Sequence, residues 1–282
     1  MDSTLFNFRR QESRRFDGEK GSEFIGILFH QFLSGLQYLH QPNLRLIHRD
    51  LSSNNILIKK LHGHNYNYCL KIADLGMARQ LPFWDDADLT KSIGTMPYRA
   101  PEIRISTHYG TAVDMWSAGC ILYEMITGKI LFPTRKQDRL MLHIARKIPI
   151  TDEEFSQLPW HLQKNILINE IDWTIDLLNK EIQEYGSSWN QNRISLNQYN
   201  ELLHCLLSFN PAKRFTAEQT LKMPLWNYLR GCQFYNPALL NHVTSLPYIE
   251  EYNNNNGTTV EWRQRLFEKI IPFRAMQDLN NE

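Results

Sequence analysis

Residues 47–57 read Ile47-His48-Arg49-Asp50-Leu51-Ser52-Ser53-Asn54-Asn55-Ile56-Leu57, a short polar loop between two apolar runs. The loop places Asp50 and Asn55 five residues apart. This spacing suits an Asp that accepts a hydroxyl proton beside an Asn that holds a magnesium ion. The alternative is a chance match in a surface loop, because Asp and Asn are also common turn formers. The loop alone leaves both interpretations open.

The composition limits the class of protein. The chain has 282 residues, of which 42% are hydrophobic, enough for one large domain or two small ones. Its 31 basic and 30 acidic residues give a formal charge of +1, so we expect no general attraction to nucleic acid or to a membrane surface.

The cysteines and the apolar runs indicate the compartment. Cys69, Cys120, Cys205 and Cys232 lie far apart and form no CxxC pair, which argues against a zinc site or a disulfide framework and favours a reducing compartment. The N-terminus has no signal pattern, and no apolar run reaches the roughly 18 to 20 residues that span a membrane. We therefore expect an intracellular protein, in the cytoplasm, the nucleus or both.

Two apolar segments frame the loop. Helical spacing predicts a long, half-buried helix that begins near Ser22, where the hydroxyl can cap it, and ends before Pro42. After the loop, two short apolar runs predict a β-hairpin. The hairpin would bring Asp74 to the same end of the molecule as Asp50.

The segment from Thr111 to Lys129 is apolar nearly all round, which predicts a buried central helix with Gly128 as its C-cap. Asp114 near its start needs a partner there. Further on, Thr151 and Glu154 form a capping-box pattern that predicts the start of another helix. Residues 159–192 are interrupted and polar, and we interpret them as one or two more helices of an insertion over about 150–192.

Five motifs in order resemble the C-terminal lobe of a eukaryotic protein kinase over roughly residues 1–226. They are His48-Arg49-Asp50-Leu51 with Asn55, Asp74-Leu75-Gly76, Gly94-Thr95 to Ala100-Pro101-Glu102, Asp114-Met115-Trp116-Ser117-Ala118-Gly119, and Asn210-Pro211 to Arg214. Each motif alone is weak, but the ordered set is specific. The resemblance implies a mainly α fold, a kinase-like helical lobe with a small β-hairpin over residues 1–230, followed by a tail over 231–282 that can form one short helix.

The resemblance also implies roles at the site and the cofactors ATP and Mg²⁺. Asp50 would orient the substrate hydroxyl and accept its proton, while Asn55 and Asp74 would ligate magnesium beside the nucleotide phosphates. Leu57 would form the floor under the adenine ring. The simpler alternatives are a turn or cap role for Asn55 and a hairpin-end role for Asp74.

In the activation loop, Arg49 is similar to the Arg that pairs with a phosphate, and Thr90 and Ser92 are the candidate acceptors. The alternative is that both are ordinary loop hydroxyls. Thr95 would lie beside Asp50, which favours Ser/Thr specificity.

Three further residues are expected to be structural. Glu102 and Arg214 would form a buried ion pair that fixes the end of the loop. Asp114 would hold the backbone of the His48-Arg49 turn, which gives a carboxylate in an apolar helix its reason.

Within the family, Pro97 to Glu102 and the insertion after Ile150 are similar to the cyclin-dependent and mitogen-activated kinases. The run from Lys71 to Arg79 is similar to Mediator-type cyclin-dependent kinases. This implies a protein substrate, a proline-directed preference and a cyclin-like or other protein partner, without nucleic acid or membrane.

Two departures from the family pattern stand out. No Gly-rich loop precedes His48, and Met1 to Phe8 already resembles the segment after the inter-lobe hinge, so we expect the N-terminal β lobe to be missing from the chain as given. Ser52 stands where Ser/Thr kinases carry a Lys. Two hypotheses follow: a protein kinase region that transfers the ATP γ-phosphate to Ser or Thr, or a catalytically inactive kinase-lobe scaffold or protein-binding module.

Overall fold

The structure is a computed structural model that describes residues 2–61, 68–81, 94–105, 109–172, 176–185 and 194–230. The chain divides into a unit over 1–244 and a second unit over 245–282. The expected tail over 231–282 lies outside the described residues, as do Thr90, Ser92 and Cys232.

The described part of the chain is mainly α-helical, with short strands. Its helices are α1 Leu5–Gln11, α2 Gly18–Leu39, α3 Glu102–Ile105, α4 Ala112–Thr127, α5 Gln137–Lys147, α6 Asp152–Ser156, α7 Trp160–Ile168, α8 Leu177–Tyr185, α9 Leu196–Leu206, α10 Ala217–Leu221 and α11 Asn227–Arg230. Its strands are β1 Ser3–Thr4, β2 Leu46–Ile47, β3 Ile56–Lys60, β4 Tyr68–Ile72 and β5 Arg79–Gln80. Among the described helices, none has the length and apolarity to cross a membrane.

Helix α4 forms the centre of the core. Every residue from Val113 to Thr127 is buried, and α2 and α9 pack against it. Gly128 ends the helix with φ 72°, and its N–H donates to the Glu124 carbonyl. This is the left-handed cap that glycine adopts without strain, so the predicted central helix is confirmed.

The predicted hairpin is also confirmed. Strands β3 and β4 pair antiparallel, with Ile56 opposite Ile72 and Lys60 opposite Tyr68. Strand β1 adds to the outer side of β3, and β2 pairs with β5 in a separate two-stranded sheet. The two-residue strands were not predicted, because alternation over two positions carries no signal.

The long helix begins earlier than its sequence predicts. Helix α2 starts at Gly18, after Asp17 in extended conformation, and not at Ser22. The hydroxyl of Ser22 is buried and donates to the carbonyl of Ile194 instead of capping the helix. A tertiary hydrogen bond has therefore replaced the local role that the residue type suggested.

The insertion contributes α6, α7 and α8. Thr151 and Glu154 form the reciprocal capping box that begins α6. Helix α8 is fastened to the core by Glu181, which accepts the Tyr123 hydroxyl at 2.8 Å and the Lys147 ammonium at 2.7 Å.

Candidate active site

Asp50 is held by the segment that begins at Thr95. One carboxylate oxygen, Oδ1, accepts both the backbone N–H and the hydroxyl of Thr95, each at 2.7 Å. The two residues are 45 positions apart, so this contact is a product of the fold. It places a hydroxyl directly beside the candidate general base and fixes the orientation of the carboxylate.

Asn55 lies against the same carboxylate. Its Nδ2 donates to the Asp50 carbonyl at 2.7 Å and to the Asp50 Oδ2 at 3.3 Å. This network assigns the amide orientation and leaves Oδ1 of Asn55 outside these contacts. An amide oxygen is a ligand that Mg²⁺ accepts, so the donor set fits.

Asp74 lies at the end of the hairpin next to Asn55. The N–H of Ala73 donates to the Asn55 carbonyl at 2.9 Å, which joins the two strands at this end. Asp74 is exposed, has φ 61° and accepts the N–H of Gly76 at 3.1 Å. A non-glycine residue in the left-handed region is uncommon and often marks a functional site.

Asn55 and Asp74 offer oxygen atoms that would suit a magnesium ion. Mg²⁺ commonly takes one or two protein oxygens and completes its shell with water and phosphate. Among the described residues, no group of three or more His, Cys, Asp or Glu side chains could hold a metal by itself.

His48 connects the loop to the hairpin end. Its Nδ1 accepts the N–H of Asp50 at 3.3 Å, and its Nε2 lies 2.9 Å from the carbonyl of Ala73. The two contacts together assign the proton to Nε2, because Nδ1 already accepts. The imidazole is fully buried, so it holds Asp50 and the residue before Asp74 at a fixed separation.

Asp114, in helix α4, holds the same turn. Its carboxylate accepts the backbone N–H groups of His48 and Arg49, at 2.8 and 3.0 Å, and contacts the Nε2 of His40 at 2.9 Å. Burial pushes the pKa of Asp114 up, but the contact with His40 and the hydrogen bond from the backbone N–H of His48 outweigh this effect, so the pKa lies below its usual value.

Two arginines line a small cavity next to Thr95. Arg49 has φ 68° and donates from Nε to the Met77 carbonyl at 2.7 Å. Arg99 is 6% exposed and donates from Nη2 to the Gly94 carbonyl at 2.8 Å. Within the described part of the chain, Nη1 of Arg49 and both Nε and Nη1 of Arg99 are buried without a hydrogen-bond partner.

Glu102 and Arg214 form a bidentate ion pair. The two Nη atoms of Arg214 lie 2.5 and 2.8 Å from the Glu102 oxygens, and both residues are buried. Arg214 also donates to the carbonyls of Ser208, Ala112 and Phe209. The guanidinium thereby joins the end of the loop to α4 and to the segment after α9.

Leu57 and Ser52 differ in exposure. Leu57 is half-buried between the fully buried Ile56 and Ile58, so it faces away from the core on the outer side of the hairpin. Ser52 is 1% exposed, whereas the neighbouring Asn54 is exposed.

Comparison with known proteins identifies the family to which this fold and site belong. The sequence matches the family described as "Protein kinase domain" over residues 4–226, and the chain belongs to this family.

Its relatives include mitogen-activated protein kinases. The chain is 32% identical to the mitogen-activated protein kinase pmk-1 of Caenorhabditis elegans, over 89% of this chain and 60% of the relative. It is 30% identical to mitogen-activated protein kinase 13 of Homo sapiens, over 90% of this chain and 63% of the relative. The chain thus spans about 60% of the length of these curated relatives.

One solved structure is also similar. It is a crystal structure of the yeast RNA polymerase II CTD kinase complex CTDK-1, with a TM-score of 0.64 and 25% identity over 80% of this chain and 68% of that one. The expected resemblance to the cyclin-dependent and mitogen-activated kinase group is therefore confirmed.

Sequence reasoning missed several residues of this site. They are His40, Ser53, Tyr98, Arg99 and Glu124, which make buried or partly buried contacts at or behind the loop. Glu124 carried the same signal as Asp114, a carboxylate in an otherwise apolar helix. The others are ordinary residue types whose role depends on partners far away in sequence.

Proposed function

We propose that this chain carries the catalytic lobe of an ATP-dependent protein kinase, within residues 1–230, that phosphorylates Ser or Thr in protein substrates. The observation that carries the proposal is the arrangement of Asp50, whose oxygens contact Thr95 on one side and Asn55 on the other. An ordinary turn needs no contact with a residue 45 positions away such as Thr95.

In this mechanism Asp50 accepts the proton of the substrate hydroxyl as the hydroxyl oxygen attacks the γ-phosphorus of ATP, and the bond from that phosphorus to the β–γ bridging oxygen breaks to release ADP. Asn55 and Asp74 would hold Mg²⁺, which neutralises charge on the phosphate oxygens when it is bound. His48 and Asp114 keep the loop in place through backbone contacts, so that the carboxylate of Asp50 does not need to reorganise during the reaction. Leu57 would offer an apolar surface under the adenine ring of ATP.

Ser/Thr specificity is supported by Thr95. Its hydroxyl and backbone N–H both donate to Asp50 Oδ1, each at 2.7 Å. A small hydroxyl-bearing side chain would reach Asp50 here. Ser52 stands where Ser/Thr kinases carry a Lys. The absence of that positive charge at position 52 weakens stabilisation of the transferring phosphate.

A proline-directed preference is supported by Gly94 and Arg99. Gly94 has φ 86°, and its carbonyl accepts the Arg99 guanidinium at 2.8 Å. The guanidinium therefore uses one of the two lone pairs of that carbonyl and would compete with a substrate N–H next to the phosphorylated residue. Proline has no N–H, so it would lose no hydrogen bond at this position.

Regulation by phosphorylation is supported by Arg49. Its Nη1 is buried and lacks a hydrogen-bond partner among the described residues, so a phosphate on Thr90 or Ser92 would supply one. The likeness to cyclin-dependent and mitogen-activated kinases supports a cyclin-like or other protein partner. The solved structure that is similar to this chain is also a kinase complex. The parts that cover the nucleotide phosphates in this family, a Gly-rich loop and a strand Lys, would have to lie outside the segment that matches here.

The experiment is nucleotide binding followed by transfer. Calorimetry of ATP against the purified chain, with and without Mg²⁺, should show binding that depends on the metal, and Asp74→Asn should weaken it by at least tenfold. Asp152→Asn, which changes an exposed Asp in α6, is the matched control. Binding of ATP that is equal in wild type and Asp74→Asn would contradict the proposed magnesium site.

Preference for proline is tested with peptides that contain Ser-Pro or Ser-Ala. We expect a kcat/KM that is about tenfold or more higher for the Ser-Pro peptide, because the Ser-Ala peptide leaves one N–H without a hydrogen bond. Equal values for the two peptides would contradict it.

A further inference from the structure

A second buried polar cluster lies behind the catalytic loop, made of Ser53, Tyr98 and Glu124. The Tyr98 hydroxyl donates to Glu124 Oε2 at 2.7 Å, and the Ser53 hydroxyl lies 3.1 Å from Glu124 Oε1. The two hydroxyl oxygens lie 3.0 Å apart. The three side chains therefore form a closed ring of three contacts, each at hydrogen-bond distance.

The number of protons in this ring decides how many contacts are hydrogen bonds. Each hydroxyl supplies one hydrogen, so with an ionised Glu124 there are two hydrogens for three contacts. One pair of oxygens would then face each other without a proton, at 3.0 or 3.1 Å. A protonated Glu124 supplies the third hydrogen. Glu124 can then donate to Ser53, Ser53 to Tyr98, and Tyr98 to Glu124.

The surroundings also favour the neutral acid. Glu124 is 5% exposed. Burial raises its pKa, and this effect outweighs the hydrogen bonds from Tyr98 and Ser53 and the charge of Arg9. Among the described residues, the Cys120 thiol on the same helix is a further titratable group that interacts with Glu124.

Arg9 is the cation that faces Glu124, from α1. Its guanidinium donates to the carbonyls of Met125 and Ile126 at the end of α4 and lies over the ring of Phe16. These contacts engage the guanidinium with the helix end.

We propose that Ser53, Tyr98 and Glu124 form a three-proton ring in which Glu124 is a neutral carboxylic acid and Ser53 is a positioning residue for the catalytic loop. The positioning role rests on the proposed function. Ser53 lies between Asp50 and Asn55, and Tyr98 lies between Thr95 and Glu102. The ring therefore ties the loop that carries the base and the metal ligand to the segment that carries Thr95.

The proton count is tested by unfolding, without ATP or substrate. Wild type and Glu124→Gln are unfolded in urea at a series of pH values from 4 to 8. A glutamine keeps a donor and an acceptor in the ring but does not titrate. A raised pKa in the folded state means that the folded wild type holds a proton that the unfolded chain has lost.

This linkage determines how the stability difference between wild type and Glu124→Gln changes with pH. Wild type should lose stability relative to Glu124→Gln as the pH rises above the ordinary Glu value of about 4.3. The ratio of their unfolding equilibrium constants, wild type over variant, should rise by up to about tenfold per pH unit. A ratio that falls with pH, or stays constant, overturns the ring, because Glu124 would then be ionised in the folded state.

If Glu124→Gln does not fold, infrared spectroscopy of wild type at pH 7 carries the test. The ring predicts a protonated-carboxyl C=O band that shifts in Ser53→Ala, since one of its hydrogen bonds is lost. Absence of a band that responds to Ser53→Ala overturns the ring.

The positioning role has its own measurement. Ser53→Ala should lower kcat by about tenfold and leave the KM for ATP within about twofold, because the loop loses its alignment but no nucleotide contact. Thr220→Val removes a buried hydroxyl in α10, far from the site, and should leave kcat unchanged. An unchanged kcat in Ser53→Ala overturns the positioning role. A chain that unfolds as predicted but transfers no phosphate contradicts the proposed function and leaves the ring intact.

Discussion

Asp114, in the first turn of the central helix, accepts the backbone N–H of His48 at 2.8 Å across 66 positions of sequence. Buried backbone N–H groups need partners, and an irregular loop cannot supply them from a regular ladder. A carboxylate from the most buried helix does so here. The position of the loop over residues 47–57 is therefore set by α4, which is buried from Val113 to Thr127.

Asp114→Asn should destabilise the fold and change its pH dependence. The wild-type pKa is lowered in the folded state, so its contribution is present above the ordinary Asp value of about 3.9 and is lost as the pH falls through the folded value. An Asn does not titrate and presents an NH₂ group where an oxygen accepted. We expect a loss of about 3 kcal/mol at pH 7 in urea unfolding, which shrinks below pH 4. A loss that is the same at pH 3 and pH 7 would contradict the role given to the carboxylate.

Arg214→Met should cost about 3 to 5 kcal/mol of unfolding free energy, because it leaves Glu102 buried without its partner. The double variant Arg214→Met with Glu102→Leu should recover part of the loss. Lys213→Met, at an exposed neighbouring ion pair, is the control and should change stability by less than about 1 kcal/mol. Equal effects at 213 and 214 would rule out a structural role for the buried pair.

Gly94→Ala should disturb the contact between the two loops. A Cβ at Gly94 would lie 2.5 Å from the Arg49 carbonyl, and φ 86° is strained for any side chain. We expect a loss of about 1 to 3 kcal/mol in thermal or urea unfolding. Gly110→Ala, where a Cβ would meet nothing within 4 Å, is the matched control and should be nearly neutral. If both variants behave alike, the left-handed conformation at Gly94 is not required.

Ser52→Lys should raise the rate of phosphoryl transfer. A cation near the transferring phosphate is worth on the order of 10²-fold in rate by electrostatic stabilisation. Ser52→Met has a side chain of similar length without charge and controls for packing at a position that is 1% exposed. Steady-state kcat is the measurement. An increase in both variants, or in neither, would show that the missing charge does not limit the reaction.

The parts of the fold and of the candidate site that depend on local sequence patterns were predictable. The periodicity of residues 111–129 predicted α4, and the spacing of Asp50, Asn55 and Asp74 predicted a shared site at the hairpin end. Each rests on residues whose chemistry or period is unusual for the position. The structure brings Asn55 against Asp50 and joins its backbone to the residue before Asp74.

The remainder depends on distant partners. Ser22 has the sequence signature of a helix cap, yet its hydroxyl is used by Ile194, 172 residues away. Ser53 and Tyr98 look like an ordinary loop serine and an ordinary aromatic residue until Glu124 is placed between them. Sequence spacing cannot show such contacts, because packing of the helices decides which polar groups meet.

The most direct test is phosphoryl transfer by wild type and Asp50→Asn, with ATP, Mg²⁺ and a Ser-Pro peptide. Asn at position 50 keeps the shape and the contacts to Thr95 but cannot accept a proton, so the rate should fall by about 10² to 10⁴. The midpoint of thermal unfolding should stay within a few degrees, and Asp17→Asn, an exposed residue whose side chain does not cap α2, should match wild type in both measurements. A rate in Asp50→Asn close to that of wild type, with the fold intact, would contradict the role of Asp50 as the base of a protein kinase.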